Sequence, residues 1–169
     1  FVGEREATVA DVRGVVSSTH TGYIFNIGDA LVQRNLPETL ELIEDQLRSG
    51  QNAIGLLFAA IFPKIRSLLY GLELQNRHGI RAGRDYNSYV SAIDQLPPEE
   101  WTFVPKTTKG KPNAYPIFST ARYARNFTFD ELKTAYELCL DANLRLVTTG
   151  MDPDLVLKQL VTRILHRSS

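Results

Sequence analysis

The residues from Thr128 to Arg167, TFDELKTAYELCLDANLRLVTTGMDPDLVLKQLVTRILHR, decide the reading of this chain, because they spell two helices joined by a tight corner. Thr128 followed three residues later by Glu131 is the Thr-x-x-Glu pattern of a capping box, in which each side chain satisfies the other residue's free N–H. Phe127 before the cap and Leu132 after it are placed for a hydrophobic staple. Leu132, Ala135, Tyr136, Cys139, Ala142 and Leu146 then recur three or four residues apart and line one face of a helix. Gly150 tolerates the left-handed conformation that often ends a helix, and Asp152-Pro153 restarts the chain with an N-cap acceptor and a proline that needs no N–H. The second helix carries Leu155, Val156, Leu157, Leu160, Val161, Ile164 and Leu165 around much of its circumference. Such a helix must be covered on more than one side, by its own domain or by a partner.

Upstream, the same periodicity continues. Ile24 to Arg34 reads as a helix with Ile24, Phe25, Ile27 and Leu31 inward, turned by Asn35-Leu36-Pro37. The next helix sets Leu40, Ile43 and Leu47 against a solvated acidic face of Glu38, Glu41, Glu44 and Asp45 and ends at Ser49-Gly50. Gln51 to Arg77 is the longest periodic segment, with Ile54, Leu57, Phe58, Ile61, Ile65, Leu68, Leu69 and Leu72 in one stripe. Pro63 lies in its middle, removes a backbone bond to Ala59, and predicts a kink in a continuous helix. The run reads as too short, and at Lys64 and Arg66 too charged, to span a membrane. Arg77 to Asp85 reads as a basic, Gly-containing loop with Arg77, His78, Arg81 and Arg84. Tyr86 to Leu96 reads as a short helix stopped by Pro97-Pro98, and Glu99 to Ala114 as an exposed loop or hairpin tip. Pro116 opens another helix, with Ile117, Ala121 and Ala124 inward and Arg122 and Arg125 outward. At the start of the chain, Thr8-Val9-Ala10-Asp11 has the pattern of a capped helix that runs through Val12, Val15 and Val16. The linker-like His20-Thr21-Gly22 places a domain boundary near residue 20. Strand signals are confined to the patch from Trp101 to Val104. The expected fold is all-α, an antiparallel bundle of about six to eight helices.

Composition narrows the function classes. The 169 residues suit one domain or one domain with the fringe of another, and 43% apolar with 22% charged residues is ordinary globular material. Lysine plus arginine equals aspartate plus glutamate, so no chain-wide attraction to nucleic acid exists, although local basic patches do. The single cysteine, Cys139, lies on an apolar helix stripe and reads as a small buried hydrophobe in a reducing compartment. His20, His78 and His166 have no cysteine or carboxylate at metal-ligand spacing, and Ser17 and Ser18 have no nucleophile-elbow context. There is no phosphate-cradling loop, no dinucleotide fingerprint and no carboxylate pair within an apolar stripe. The expectation is therefore a chain with no catalytic constellation, no cofactor and no metal.

Three strings resemble one family in their order and spacing. They are Tyr23-Ile24-Phe25-Asn26-Ile27-x-Asp29-Ala30-Leu31, followed by Leu40-x-x-Ile43-x-x-Gln46-Leu47 and Gly50; Tyr115-Pro116-Ile117-Phe118-x-x-Ala121-x-x-Ala124-Arg125-x-Phe127; and the stretch from Phe127 to Leu157 that includes Thr149-Gly150-Met151-Asp152-Pro153. Together they cover about two thirds of the chain and resemble the end of the delta subunit of the bacterial DNA polymerase III clamp loader. The segment from Arg77 to Ala114 is longer than the family pattern. The resemblance implies two AAA+-like domains without a working nucleotide site, followed by a helical domain that joins a collar. Residues 1–20 would then be the end of the AAA+-like lid and residues 21–169 the C-terminal oligomerisation domain. A beginning at Phe1 rather than Met fits a fragment of something longer.

By that resemblance the implied function is assembly of the clamp loader that places the sliding clamp on DNA during replication. Its partners would be gamma/tau and delta-prime type subunits, with the clamp and primer-template DNA reached only through the whole complex, in the cytoplasm and without a membrane. Candidate interface residues on the last helices are Arg145, Val161, Arg163 and Leu165. The competing class is a nucleic-acid-binding module using Lys106, Lys109, Lys111, Arg122 and Arg125, with Trp101 and Phe103 as a stacking surface beside the lysines.

Overall fold

The computed structural model describes residues 23–166. The capped start at Thr8 to Asp11 and the boundary near residue 20 lie outside the described residues. The chain folds as α1 (Tyr23–Val32), α2 (Leu36–Arg48), α3 (Ala53–His78), α4 (Tyr86–Asp94), α5 (Tyr115–Ala121), α6 (Phe129–Thr148) and α7 (Pro153–Leu165). Short 3-10 turns at Pro98–Trp101 and Ala124–Asn126 connect them. Among the described residues the only extended pairing is an isolated bridge between Lys106 and Pro112. The architecture is all-α, as the periodicities require.

The long helix α3 is the axis of the fold. Its first half enters the larger core, where Leu56, Leu57, Ile61, Ile65 and Leu68 meet Ile27 and Leu31 of α1, Ile43 of α2, Leu132 and Cys139 of α6, and Leu157 and Val161 of α7. Its far end enters a smaller core, where Leu74 meets Tyr89 and Ile93 of α4, Trp101, Val104, and Ile117 of α5. The segment expected to be an exposed loop is thus half structural. Its tip, from Lys106 to Lys111, is exposed throughout, as a turn in which the Thr107 N–H donates to the Lys111 carbonyl at 2.7 Å and Gly110 takes a positive φ of 75°. The Trp101 to Val104 patch forms a turn, not a strand.

Pro63 does not break α3. Leu57–Ile61 forms a π turn, in which the Phe62 N–H donates to the carbonyl of Leu57, five residues back. The wide turn accommodates the proline that follows, and the helix continues to Gly79, which caps it at φ 68°. A π turn takes one more residue than an α turn, so the apolar stripe changes phase there. Phe58, expected inward, is consequently 45% exposed. Phe25, also expected inward, is exposed as well, because Ile27, Ala30 and Leu31 form the buried side of α1. By length and composition α3 is long and apolar enough to cross a bilayer, contrary to the expectation of a run too short and too charged; in this fold it is the central core helix.

Helix α1 meets α3 closely at Gly28, where an added Cβ would lie 2.6 Å from the Ala60 carbonyl oxygen. Beside that approach, Lys64 Nζ sits 2.6 Å from Asp29 Oδ1 and joins the two helices. α1 ends with the Arg34 N–H donating to Leu31 and the Asn35 N–H donating to Ala30, both at 3.0 Å, a Schellman pattern. Arg34 occupies the left-handed position at φ 59°.

Candidate subunit interface

The corner between α6 and α7 is built as its sequence dictates. Thr128 Oγ1 accepts from the Glu131 N–H at 3.2 Å, and Glu131 Oε2 accepts from the Thr128 N–H at 2.7 Å, completing the capping box. Asp152 accepts from the Asp154 N–H at 3.0 Å to open α7. Arg145 closes the corner from within. Its Nη2 donates to Gln159 Oε1 at 2.9 Å and contacts Met151 Sδ at 3.3 Å, while Nη1 lies 3.9 Å from Asp141.

Of the interface candidates, only Arg163 is exposed. Arg145 is engaged within its own corner and is only partly exposed. Val161 and Leu165 belong to the larger core and offer no surface. α2 and α6 pack over the apolar circumference of α7 except at Leu155, which is 45% exposed. Lys158 fixes the α2 contact through Glu44 Oε2 at 3.3 Å, and its own-helix partner Asp154 lies at 2.8 Å. The Asp154 hydrogen bond, opposed by burial and aided by Glu44, holds the Lys158 ammonium above its ordinary pKa.

The five basic candidates are all exposed. Lys106, Lys109 and Lys111 lie on the hairpin tip, and Lys111 is 3.9 Å from Asp94. Arg122 follows the far end of α5 and covers the Tyr123 ring at 4.7 Å. Trp101 cannot serve as a stacking platform, because it is buried in the smaller core and its indole N–H donates to the Leu96 carbonyl at 3.3 Å. Phe103 packs on Tyr70 with ring centroids 5.3 Å apart. Lys106 rests over the Trp101 ring at 5.6 Å.

Arg125 and Arg163, which the sequence assigned to different roles, line one open cleft of about 630 Å³ with His166, Asp130 and Glu131. Among the described residues no group of three His, Cys, Asp or Glu side chains is placed to hold a metal ion.

The surface that sequence reasoning missed lies on α6. Leu140, Leu144 and Val147 point away from the core and are 49%, 59% and 65% exposed. Their spacing of four and three residues is legible in the sequence as a second apolar stripe flanking the buried one through Cys139 and Ala142.

No protein-family model matches this sequence, and no curated protein matches it. The all-α fold is similar to that of a clamp-loader delta protein. The particular solved structure is the Bacillus subtilis DNA clamp loader delta protein YqeN, which superposes at a TM-score of 0.61 with 19% sequence identity over 99% of this chain. The match spans 43% of that protein, so this chain corresponds to less than half of its length.

Proposed function

We propose that residues 21–169 are the C-terminal oligomerisation domain of a delta-type clamp-loader subunit, with residues 1–20 the end of the preceding lid. The observation that carries this reading is the superposition of nearly the whole chain on part of a clamp-loader delta protein. The three sequence strings that resemble the same family, in the same order, support it independently of the coordinates. In this reading the domain does no chemistry. It holds its subunit among gamma/tau and delta-prime type partners, and the sliding clamp and primer-template DNA are reached only through the assembled loader in the cytoplasm. Arg163, on the exposed side of α7, remains the interface candidate from the last helices.

The test is size-exclusion chromatography of the chain with the other clamp-loader subunits of the same organism, without DNA. Stable co-elution is the expected result. Absence of association together with retention on DNA at moderate salt would overturn the reading in favour of Lys106, Lys109, Lys111, Arg122 and Arg125. Binding of that kind would weaken steeply with salt, and replacing two of the lysines would flatten the slope.

A further inference from the structure

One continuous apolar face crosses from α6 to the π turn of α3. Leu140, Leu144 and Val147 form its ridge. Tyr136, one turn before Leu140, packs tilted against Phe62 with centroids 4.9 Å apart, and Phe62 meets Phe58 edge-on at 5.7 Å. Phe58 is itself exposed because the π turn rotates it out of the core stripe. Gly55 and Ala59, also exposed, leave the backbone of α3 open beside it. Large contiguous apolar exposure of this kind marks an interaction surface, and π turns occur frequently at functional positions.

Charge selects the occupant. Asp130, Glu137 and Asp141 follow one another along one edge of the ridge and all three are exposed, so the edge is net acidic even with exposed Lys133 on that flank and Arg145 3.9 Å from Asp141. Two copies of the chain packed antiparallel about a twofold axis would set this acidic edge against itself. A helix with its own apolar stripe and with lysine or arginine along one edge meets both requirements.

We propose that this face receives an amphipathic, basic-edged helix from another subunit, with its apolar stripe on Leu140, Leu144, Val147 and Phe58. The inference rests on the oligomerisation reading for the source of that helix. Leu140 and Leu144 are the anchors, and Glu137 sets the register and orientation.

The experiment compares the chain with Leu140→Ser/Leu144→Ser and with Glu137→Lys for co-elution with the clamp-loader subunits, alongside thermal melts and sedimentation velocity of each variant alone. Both substitutions lie on the exposed face, so the melts are expected to stay close to wild type. The expected result is association of wild type, a loss on the order of tenfold or more for the double serine variant, and weaker, more salt-sensitive binding for Glu137→Lys. Undiminished association of the double variant overturns this surface and leaves the oligomerisation reading intact. Failure of wild type to associate overturns both. A wild-type homodimer that the serine substitutions abolish assigns the face to a second copy and also overturns the proposal.

Discussion

Arg34, at the end of α1, binds Glu131, in the first turn of α6, with Nη2 2.5 Å from Oε1 across 97 residues of chain. The same guanidinium donates through Nε to the Asn126 carbonyl at 2.7 Å and lies over the Phe127 ring at 4.2 Å. Asn126 returns the contact by donating from its amide to the Val32 carbonyl at 3.0 Å. The corner after α1 is therefore clasped to the segment that starts α6, and Arg34 is held at a backbone conformation that glycine would adopt more easily.

That strain gives an unusual ordering of variants. Replacing Arg34 with alanine loses the clasp and keeps the left-handed strain, whereas glycine loses the clasp and relieves it. Both variants are expected to be less stable than wild type, with Arg34→Gly more stable than Arg34→Ala by about 1 kcal/mol. Urea denaturation of the three proteins measures this, and an alanine variant at least as stable as glycine contradicts it.

Glu131 links the clasp to pH. Burial pushes its carboxyl upward, but the Thr128 N–H and the Arg34 guanidinium outweigh burial and hold it below the ordinary value of 4.5. A carboxylate depressed in the folded state contributes stability that is fully present above its unfolded pKa and is lost as pH falls through the folded one. Glu131→Gln is thus expected to be less stable than wild type at neutral pH, with the difference narrowing as pH drops below 4.5. A stability gap that stays constant from pH 7 down to acid denaturation counts against this role.

Two glycines in helices are expected to respond oppositely to alanine. At Gly28 the new Cβ would press on the Ala60 carbonyl oxygen at 2.6 Å and on Lys64 Cγ at 2.7 Å, so α1 must move off α3. Overpacking of this kind costs about 1–3 kcal/mol, more than the gain in helix propensity returns. At Gly55 the Cβ meets only the Asn52 Cβ, at 3.8 Å, and the substitution is expected to stabilise by up to about 1 kcal/mol. Thermal melts that rank Gly28→Ala at or above wild type contradict the close approach.

Cys139 is sealed in the larger core, and burial pushes its thiol up to about 12. The native protein is expected to resist a thiol reagent at pH 8 and to react with one equivalent on unfolding in urea. Rapid stoichiometric labelling of the folded chain would place Cys139 on the surface instead.

Local order was written in the sequence. The Thr128–Glu131 capping box, the Asp152-Pro153 restart and the buried stripe from Leu132 to Ala142 form as their spacing implies, because capping and helical periodicity involve residues within one or two turns. The all-α class follows from the same short-range signals. The tertiary structure decided which apolar residues remain outside. Val161 and Leu165 are buried because α2 and α6 close over α7, while Leu140, Leu144 and Val147 face solvent because no described element covers that side of α6. It also decided the phase of α3, where accommodating Pro63 through a π turn rotates Phe58 outward, and the clasp of Arg34 on Glu131. Sequence spacing specifies what shares a helix face, but which face is buried depends on residues that meet only when distant parts of the chain pack together.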